Sequence, residues 1–479
     1  MRLTLDVRSV LIAAVPEIGL ARIRATAGRK YAHKRQQVLC DWALQSYMRV
    51  RTHKANPEAS SFSCTALRND LHIKNFKPLL RGLYYFTERN GRYSRERAQT
   101  KQYCLHPHVR MALSAVMQGT APLTVLNVDT GLPVTRSSVP NNGIPAGLDD
   151  RLFVPSVMVV PMVQIETAIH RLIEAGADYG SSVCADIEKP DGCTMGDALQ
   201  YLYTCRKWIS SPLGGVPNMY KVTSTGRLGP DGFHVIQFPA VVRRLLFDGS
   251  GLSDYDIESA HFNIFRSRAR SLGFLTPYAD EYVAQKAHHH RRWMSETGHV
   301  NVADFKATAT SWLNGGSLSE SVRTETGKRL GSTVVTILKE DTFASALRQE
   351  ARDGMVRIVA AMATEATGNT ETTYTNVVGA TIRVQQKAHG KGAYRQVDFG
   401  RLCAHVLTGY EQWAIREVCS IAVGLEVIIY DGLIAGPGQE RTLTEHILHR
   451  STEKLGFPLE LRMKEAALTA PELGDASNF

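Results

Sequence analysis

Residues 425–435 read Leu-Glu-Val-Ile-Ile-Tyr-Asp-Gly-Leu-Ile-Ala. Two apolar runs rich in Ile, Val and Leu flank one Asp-Gly pair, the dipeptide that most often closes a tight β-hairpin. Asp431 therefore sits at an apolar bend. A carboxylate there gains nothing from its Ile and Leu neighbours and costs stability unless it is paired or bound to a metal. Taken alone, the stretch reads more readily as an ordinary hairpin turn than as a metal-binding one.

Working outward, a second carboxylate lies in a similar setting. Leu252-Ser-Asp-Tyr-Asp-Ile-Glu-Ser259 places Asp256 in a strand that leads into a helix starting Ala260-His-Phe-Asn-Ile-Phe265. Two carboxylates brought together from distant strands are what two-metal phosphoryl transfer requires: one ion activates the attacking hydroxyl and the other steadies the leaving group. Asp248-Gly-Ser-Gly251 competes for the first position and reads instead as the turn of a preceding hairpin.

Between the two carboxylates lies Asp304-Phe-Lys-Ala-Thr-Ala-Thr-Ser-Trp-Leu-Asn-Gly-Gly316. At helical spacing Lys306, Thr310, Leu313 and Asn314 share one face, and Gly315-Gly316 ends the helix. Upstream, Thr225-Gly-Arg-Leu228 holds Arg227 in a fixed turn, where its guanidinium can meet phosphate or a nucleic-acid groove.

The totals agree with such a partner. The 479 residues carry a formal charge of +10, concentrated in residues 1–100, which hold 19 Lys and Arg against 7 Asp and Glu. A basic segment on a near-neutral body suits a polyanion, because phosphate contacts release condensed counterions. The length predicts two or three sub-domains. No apolar run reaches the ~18–20 residues of a membrane span, and Val10–Val15 lacks the pattern of a signal peptide. The eight cysteines form no CxxC pair and are expected to be reduced. Cys184, Cys193 and Cys205 match no common zinc spacing. Residues 1–110 read as helices and turns with basic and aromatic clusters such as Arg92–Arg95. Pro140–Gly147 reads as a linker, and amphipathic helices are expected around Val163–Ala175 and Met195–Trp208.

Taken in order, these segments resemble the motifs of the family A DNA polymerases. Thr225–Leu228 with Ile236-Gln-Phe-Pro239 looks like that family's Thr-Gly-Arg-Leu block. Asp254–Ser259 resembles motif A, Lys306 with Asn314-Gly315 resembles motif B, and Tyr430-Asp-Gly432 resembles motif C at similar separations. The segment Ala404–Tyr410, with His405, is similar to a block of the related single-subunit phage-type RNA polymerases. The resemblance covers about residues 217–440.

It implies an α+β right-hand polymerase with palm, fingers and thumb and a mostly helical basic N-terminal region. The expected division is 1–145 for nucleic-acid binding or accessory roles, 146–215 for a thumb-like helical region and 216–479 for palm and fingers. The implied activity is template-directed nucleotidyl transfer, first as a DNA polymerase of a phage, plasmid or other mobile replicon. An RNA-making relative (a single-subunit RNA polymerase or viral replicase) and a non-catalytic replication protein are the alternatives. Asp256 and Asp431 would hold two Mg²⁺, with Mn²⁺ as a substitute, and Lys306 would act on the triphosphate. Arg227, His261, Asn314, Gly315, Tyr430 and His405 would contact nucleotide or primer–template. Expected partners are primer–template, nucleoside triphosphates and replication accessory proteins, with no membrane, in the cytoplasm of the host cell.

Departures are plain too. Asn314 replaces the family's tyrosine, Tyr430 its histidine and Gly432 its third acidic residue. The arginine a turn before the lysine is absent, leaving His299, Arg291 and Arg292 as substitutes. His261 stands where DNA-making relatives carry a glutamate, and its bulk disfavours a ribose hydroxyl.

Overall fold

The computed structural model describes residues 1–48, 59–61, 71, 77–86, 102–174, 195–321, 324–367, 371–385 and 396–469. Arg92–Arg95, Cys64, Cys184 and Cys193 lie outside them. The five described cysteines, at 40, 104, 205, 403 and 419, are free and buried. The fold mixes helix and sheet, as the α+β reading expects.

Its organising element is a four-stranded antiparallel sheet. The strands run in the order Val427–Ile429, Gly432–Ala435, Ser253–Ile257 and Met463–Ala467. The expected hairpin closes at Asp431, and the expected strand carries Asp256 beside it. Side chains on a strand alternate between faces, and here each face meets a separate core. Val427 and Ile434 point into one apolar cluster. Ile428, Leu433, Tyr255, Ile257 and Met463 point into the other. A one-residue slip would exchange these sets, and each fully buried aliphatic side chain stabilises the correct register by about 1.5–3 kcal/mol. The sheet thereby fixes where Asp256 and Asp431 lie.

The first core is built mainly from residues before 252, including the helices Ala32–Met48, Pro107–Gln118, Met162–Glu174 and Met195–Ser210. The second gathers the helices Ala260–Ser271, Pro277–Thr297, Val302–Leu313, Thr342–Ala360 and Gln396–Cys419. Both amphipathic helices expected between residues 163 and 208 form, each within two residues of the expected ends.

Two local readings need correction. Residues 241–247 form a helix, Ala240–Phe247, with Val241, Val242, Leu245 and Leu246 buried at helical spacing. Asp248–Gly251 therefore links a helix to a strand and closes no hairpin. Pro140–Gly147 is a pinned turn rather than a linker. The Asn142 side chain donates to Leu152 O and accepts from the amides of Ile144 and Val154. Among the described residues, no helix is long and apolar enough to cross a membrane.

Candidate active site

Asp256 leaves the middle of the sheet toward a cavity of about 360 Å³ that Asp431 also lines. In the antiparallel register Asp256 faces Gly432 on one side and Lys464 on the other, and the Ile257 amide donates to the Asp431 carbonyl at 3.0 Å. The two acidic residues are thus clamped together by backbone. Burial pushes the Asp256 carboxyl up to about 7, with repulsion from Asp431 adding to it and Lys306 opposing it. The Asp431 carboxyl is also raised, first by burial and then by the nearby Glu411. Asp256 is exposed to the cavity water, so the walls dry it only in part.

Three lysines line the same cavity. Lys306 projects from the Val302–Leu313 helix, which starts where the Asn301 side chain accepts from the Ala303 amide. Thr310, one turn on, donates to the Lys306 carbonyl and also lines the cavity. Lys286 arrives from the Pro277–Thr297 helix directly after its kink at Gln285 (φ −123°, ψ 25°). Its Nζ donates to Ser259 Oγ at 3.1 Å. Ser259 holds a left-handed backbone at φ 49°, uncommon outside glycine and often found at functional sites. Burial lowers the Lys286 ammonium, and the charge of Lys306 lowers it further. Lys464 completes the group from the outer strand.

A buried carboxylate organises the opposite wall. Glu411, on the Gln396–Cys419 helix, accepts from the Arg227 guanidinium and lies 3.1 Å from His261 Nε2. Burial alone would raise its carboxyl, but His261 and Arg227 together hold it below the usual range. Arg227 also stacks over the Tyr430 ring at 4.7 Å. Gln412, the next residue, accepts from the Leu228 amide at 2.8 Å and donates to Tyr430 O at 2.7 Å. One helical step therefore ties the Thr-Gly-Arg-Leu turn, the Asp431 hairpin and the start of the 260–271 helix together.

The sequence-predicted residues divide accordingly. Asp256, Asp431, Lys306, Arg227 and His261 line one cavity, and Tyr430 packs on Arg227 at its edge. Asn314 and Gly315 lie elsewhere. Asn314 ends the 302–313 helix, and Gly315, at φ 72°, sits against the Phe399 ring. His405 is buried, its Nε2 3.1 Å from Ala380 O. Of the substitutes for the absent arginine, His299 pairs with Asp304 at 3.0 Å and Arg292 with Asp341 at 2.6 Å, while Arg291 is exposed and is not among the residues lining the cavity.

Sequence reasoning missed Lys286, Lys464, Glu411 and Gln412. No short motif marks them, because each reaches the cavity through register or helix packing. Among the described residues no group of three His, Cys, Asp or Glu side chains gathers as a metal-binding set. Asp256 and Asp431 form a pair, and two raised carboxylates side by side are hard oxygen donors. That fits Mg²⁺, which commonly takes one or two protein carboxylates and completes its shell with water and substrate phosphates.

No protein-family profile and no curated protein matches the chain. Among solved structures it is similar to the POL domain of Pol1 from M. smegmatis in complex with DNA primer-template and dNTP. The identity is 13%, the TM-score 0.41, and the overlap covers 66% of this chain and 68% of that one. At that distance the reading of the site rests on its own geometry.

Proposed function

We propose that the chain is a template-directed nucleotidyltransferase, a DNA polymerase that extends a primer 3′-hydroxyl by attack on the α-phosphate of an incoming nucleotide. The observation that carries this reading is one cavity in which a carboxylate pair from two adjacent strands faces Lys286, Lys306 and Lys464 from three separate elements. A polyanion needs such cations, and a carboxylate pair among them has no evident use except to hold divalent metal.

In this reading Asp256 and Asp431 hold Mg²⁺, which when bound favours the ionised 3′-oxygen and neutralises the departing pyrophosphate. Lys306 and Lys286 bind the triphosphate and orient it along the kinked 277–297 helix, and Lys306 can pass a proton to the leaving pyrophosphate. Arg227, flat against Tyr430 and held by Glu411, meets the end of the primer–template.

Primer extension by the purified chain with Mg²⁺, on DNA and RNA templates with dNTPs or rNTPs supplied separately, tests the proposal. Extension with dNTPs is expected. Asp256→Ala or Asp431→Ala should cut it about 10³-fold, on the order of 4 kcal/mol, while primed template still binds. Extension with rNTPs alone would favour an RNA-making enzyme, and no extension despite tight template binding would overturn the catalytic reading.

A further inference from the structure

A second cavity, of about 340 Å³, lies in the first core and shares no lining residue with the catalytic one. Its walls come from the strand Leu3–Leu5, the helices Ala32–Met48 and Met195–Ser210, and the turn Val235–Gln237 with its flanks. Four of its lining residues form a run of neighbouring rings. Phe233 lies on Trp208 at 5.9 Å and 18°, Phe238 follows Phe233 at 5.3 Å, and Tyr201 follows Phe238 at 4.8 Å. Beside these rings the Ala32–Met48 helix places one carboxylate, Asp41, whose side chain is only 4% exposed. Its Oδ2 accepts from Gln45 Nε2, one turn on, at 2.9 Å, and Arg2 Nε lies 4.0 Å away. A carboxylate has roughly four acceptor sites, more than these two contacts use. The Trp208 indole N–H is buried and meets no acceptor among the described residues. Protein cores pack at the density of organic crystals, so a space of this size with a carboxylate in its wall calls for an occupant.

We propose that this cavity binds a guanine base, carried by a free nucleotide or by an unpaired position of a nucleic-acid strand. Flat bases stack on aromatic side chains. Guanine presents two adjacent N–H donors, N1–H and the N2 amino group, which match the two oxygens of a carboxylate as a guanidinium does. Beside them it carries an acceptor, O6, of the kind the Trp208 N–H lacks. Adenine turns a bare ring nitrogen toward a carboxylate, and hypoxanthine has only one of the two donors. An arginine side chain has the fork without the acceptor. It also meets a chain of formal charge +10 as a cation, whereas the guanine of a nucleotide arrives with a phosphate. The site goes beyond the polymerase reading and holds its base apart from the catalytic cavity.

The test is calorimetric titration of the full chain, in EDTA so that no metal-dependent step occurs, with GMP, IMP, AMP and agmatine. Short oligothymidylates with or without one central guanine form a second arm. GMP should bind about tenfold tighter than IMP, which lacks one charge-assisted hydrogen bond, and about 10²-fold tighter than AMP. Asp41→Asn, which offers one acceptor and one donor, should lose GMP and gain XMP, whose C2 carbonyl replaces the amino group. Phe233→Leu should weaken every base alike and keep the ratios. Should Asp41→Asn fail to fold, the wild-type ratio of GMP to IMP and the Phe233→Leu protein carry the test. A guanine oligonucleotide that binds tighter than GMP identifies a strand as the source, and one that binds no tighter identifies the free nucleotide. Equal affinity for GMP and IMP, tighter binding of agmatine than of GMP, or a folded Asp41→Asn protein that still prefers GMP to XMP would overturn the proposal. So would loss of GMP binding in Lys306→Ala, which would put the base in the catalytic cavity. None of these outcomes alters primer extension, so the polymerase reading stands or falls separately.

Discussion

Gly432, paired with Asp256 across the sheet, runs so close to Tyr255 on that same strand that a Cβ on Gly432 would stand 2.1 Å from the Tyr255 carbonyl oxygen. Gly432 occupies the position where the resembled family carries its third acidic residue. The strand that carries Asp256 leaves no room for any side chain there. Gly432→Ala should destabilise the fold by about 3 kcal/mol, the upper range for overpacking, and Gly432→Glu should do so at least as severely. Thermal melting checks both, and a Gly432→Glu protein melting with the wild type would contradict the close approach.

The raised Asp256 carboxyl makes stability fall with pH in the absence of metal. Its native value is about 7, against ~3.9 for an unfolded aspartate. Between those values the native state binds more protons than the unfolded state, so stability declines from about pH 4 to about pH 7 and then levels. Asp256→Asn removes the decline. It should raise the melting temperature at pH 8 and leave it unchanged near pH 4. Cavity water screens the effect, so the gain should be on the order of 1–2 °C. Added Mg²⁺ should stabilise the wild type increasingly as pH rises through 7. Equal stabilisation of Asp256→Asn by Mg²⁺ would argue against this carboxylate as a ligand.

Much of the site was legible because its pieces are local. The Asp-Gly bend, the strand into Ala260 and the helix carrying Lys306 each follow from patterning within about a dozen residues, and all three form. What was not legible is long-range. Lys464 faces Asp256 only through strand register. Glu411 reaches Arg227 across 184 positions in sequence. Asn314 was read as a nucleotide contact from its helical face, but the helix ends one residue earlier and its cap packs toward Gly400. A short apolar run such as 241–247 fits strand or helix equally until burial decides.

Lys286 and Lys306 share one cavity, and the charge of Lys306 adds to burial in lowering the Lys286 ammonium, so their contributions to a bound triphosphate should not add. Each single alanine variant should raise nucleotide KM, by roughly tenfold for loss of one charge-assisted contact. With Lys306 gone, Lys286 keeps its ammonium at less cost, which recovers part of the loss. The double variant should therefore fall further than the sum of the two singles. Steady-state kinetics with a saturating primer–template measures the three. Strict additivity would place the two lysines on different parts of the substrate.

His405 belongs to the block that resembles the RNA-making relatives, yet its imidazole faces protein. Nε2 lies 3.1 Å from Ala380 O, and the His405 carbonyl accepts from Asn376 Nδ2 at 3.2 Å. The same Asn376 amide donates to Thr225 O at 2.9 Å, beside the turn that carries Arg227. Burial lowers the His405 imidazole against the opposing pull of its hydrogen bonds to the Ala380 and Tyr374 backbone, and the ring serves as a fixed joint between helix and turn. His405→Phe removes the imidazole's hydrogen bonds to the backbone of Ala380 and Tyr374, at a cost of about 1–3 kcal/mol for a backbone group left unmet. The variant should melt lower while its nucleotide KM stays within about twofold of the wild type. Asn376→Ala should also melt lower but weaken primer–template binding, because it loosens the Thr225 turn and with it Arg227. If His405→Phe instead changed nucleotide KM tenfold at unchanged stability, the histidine would have to reach the substrate in a conformation other than this one.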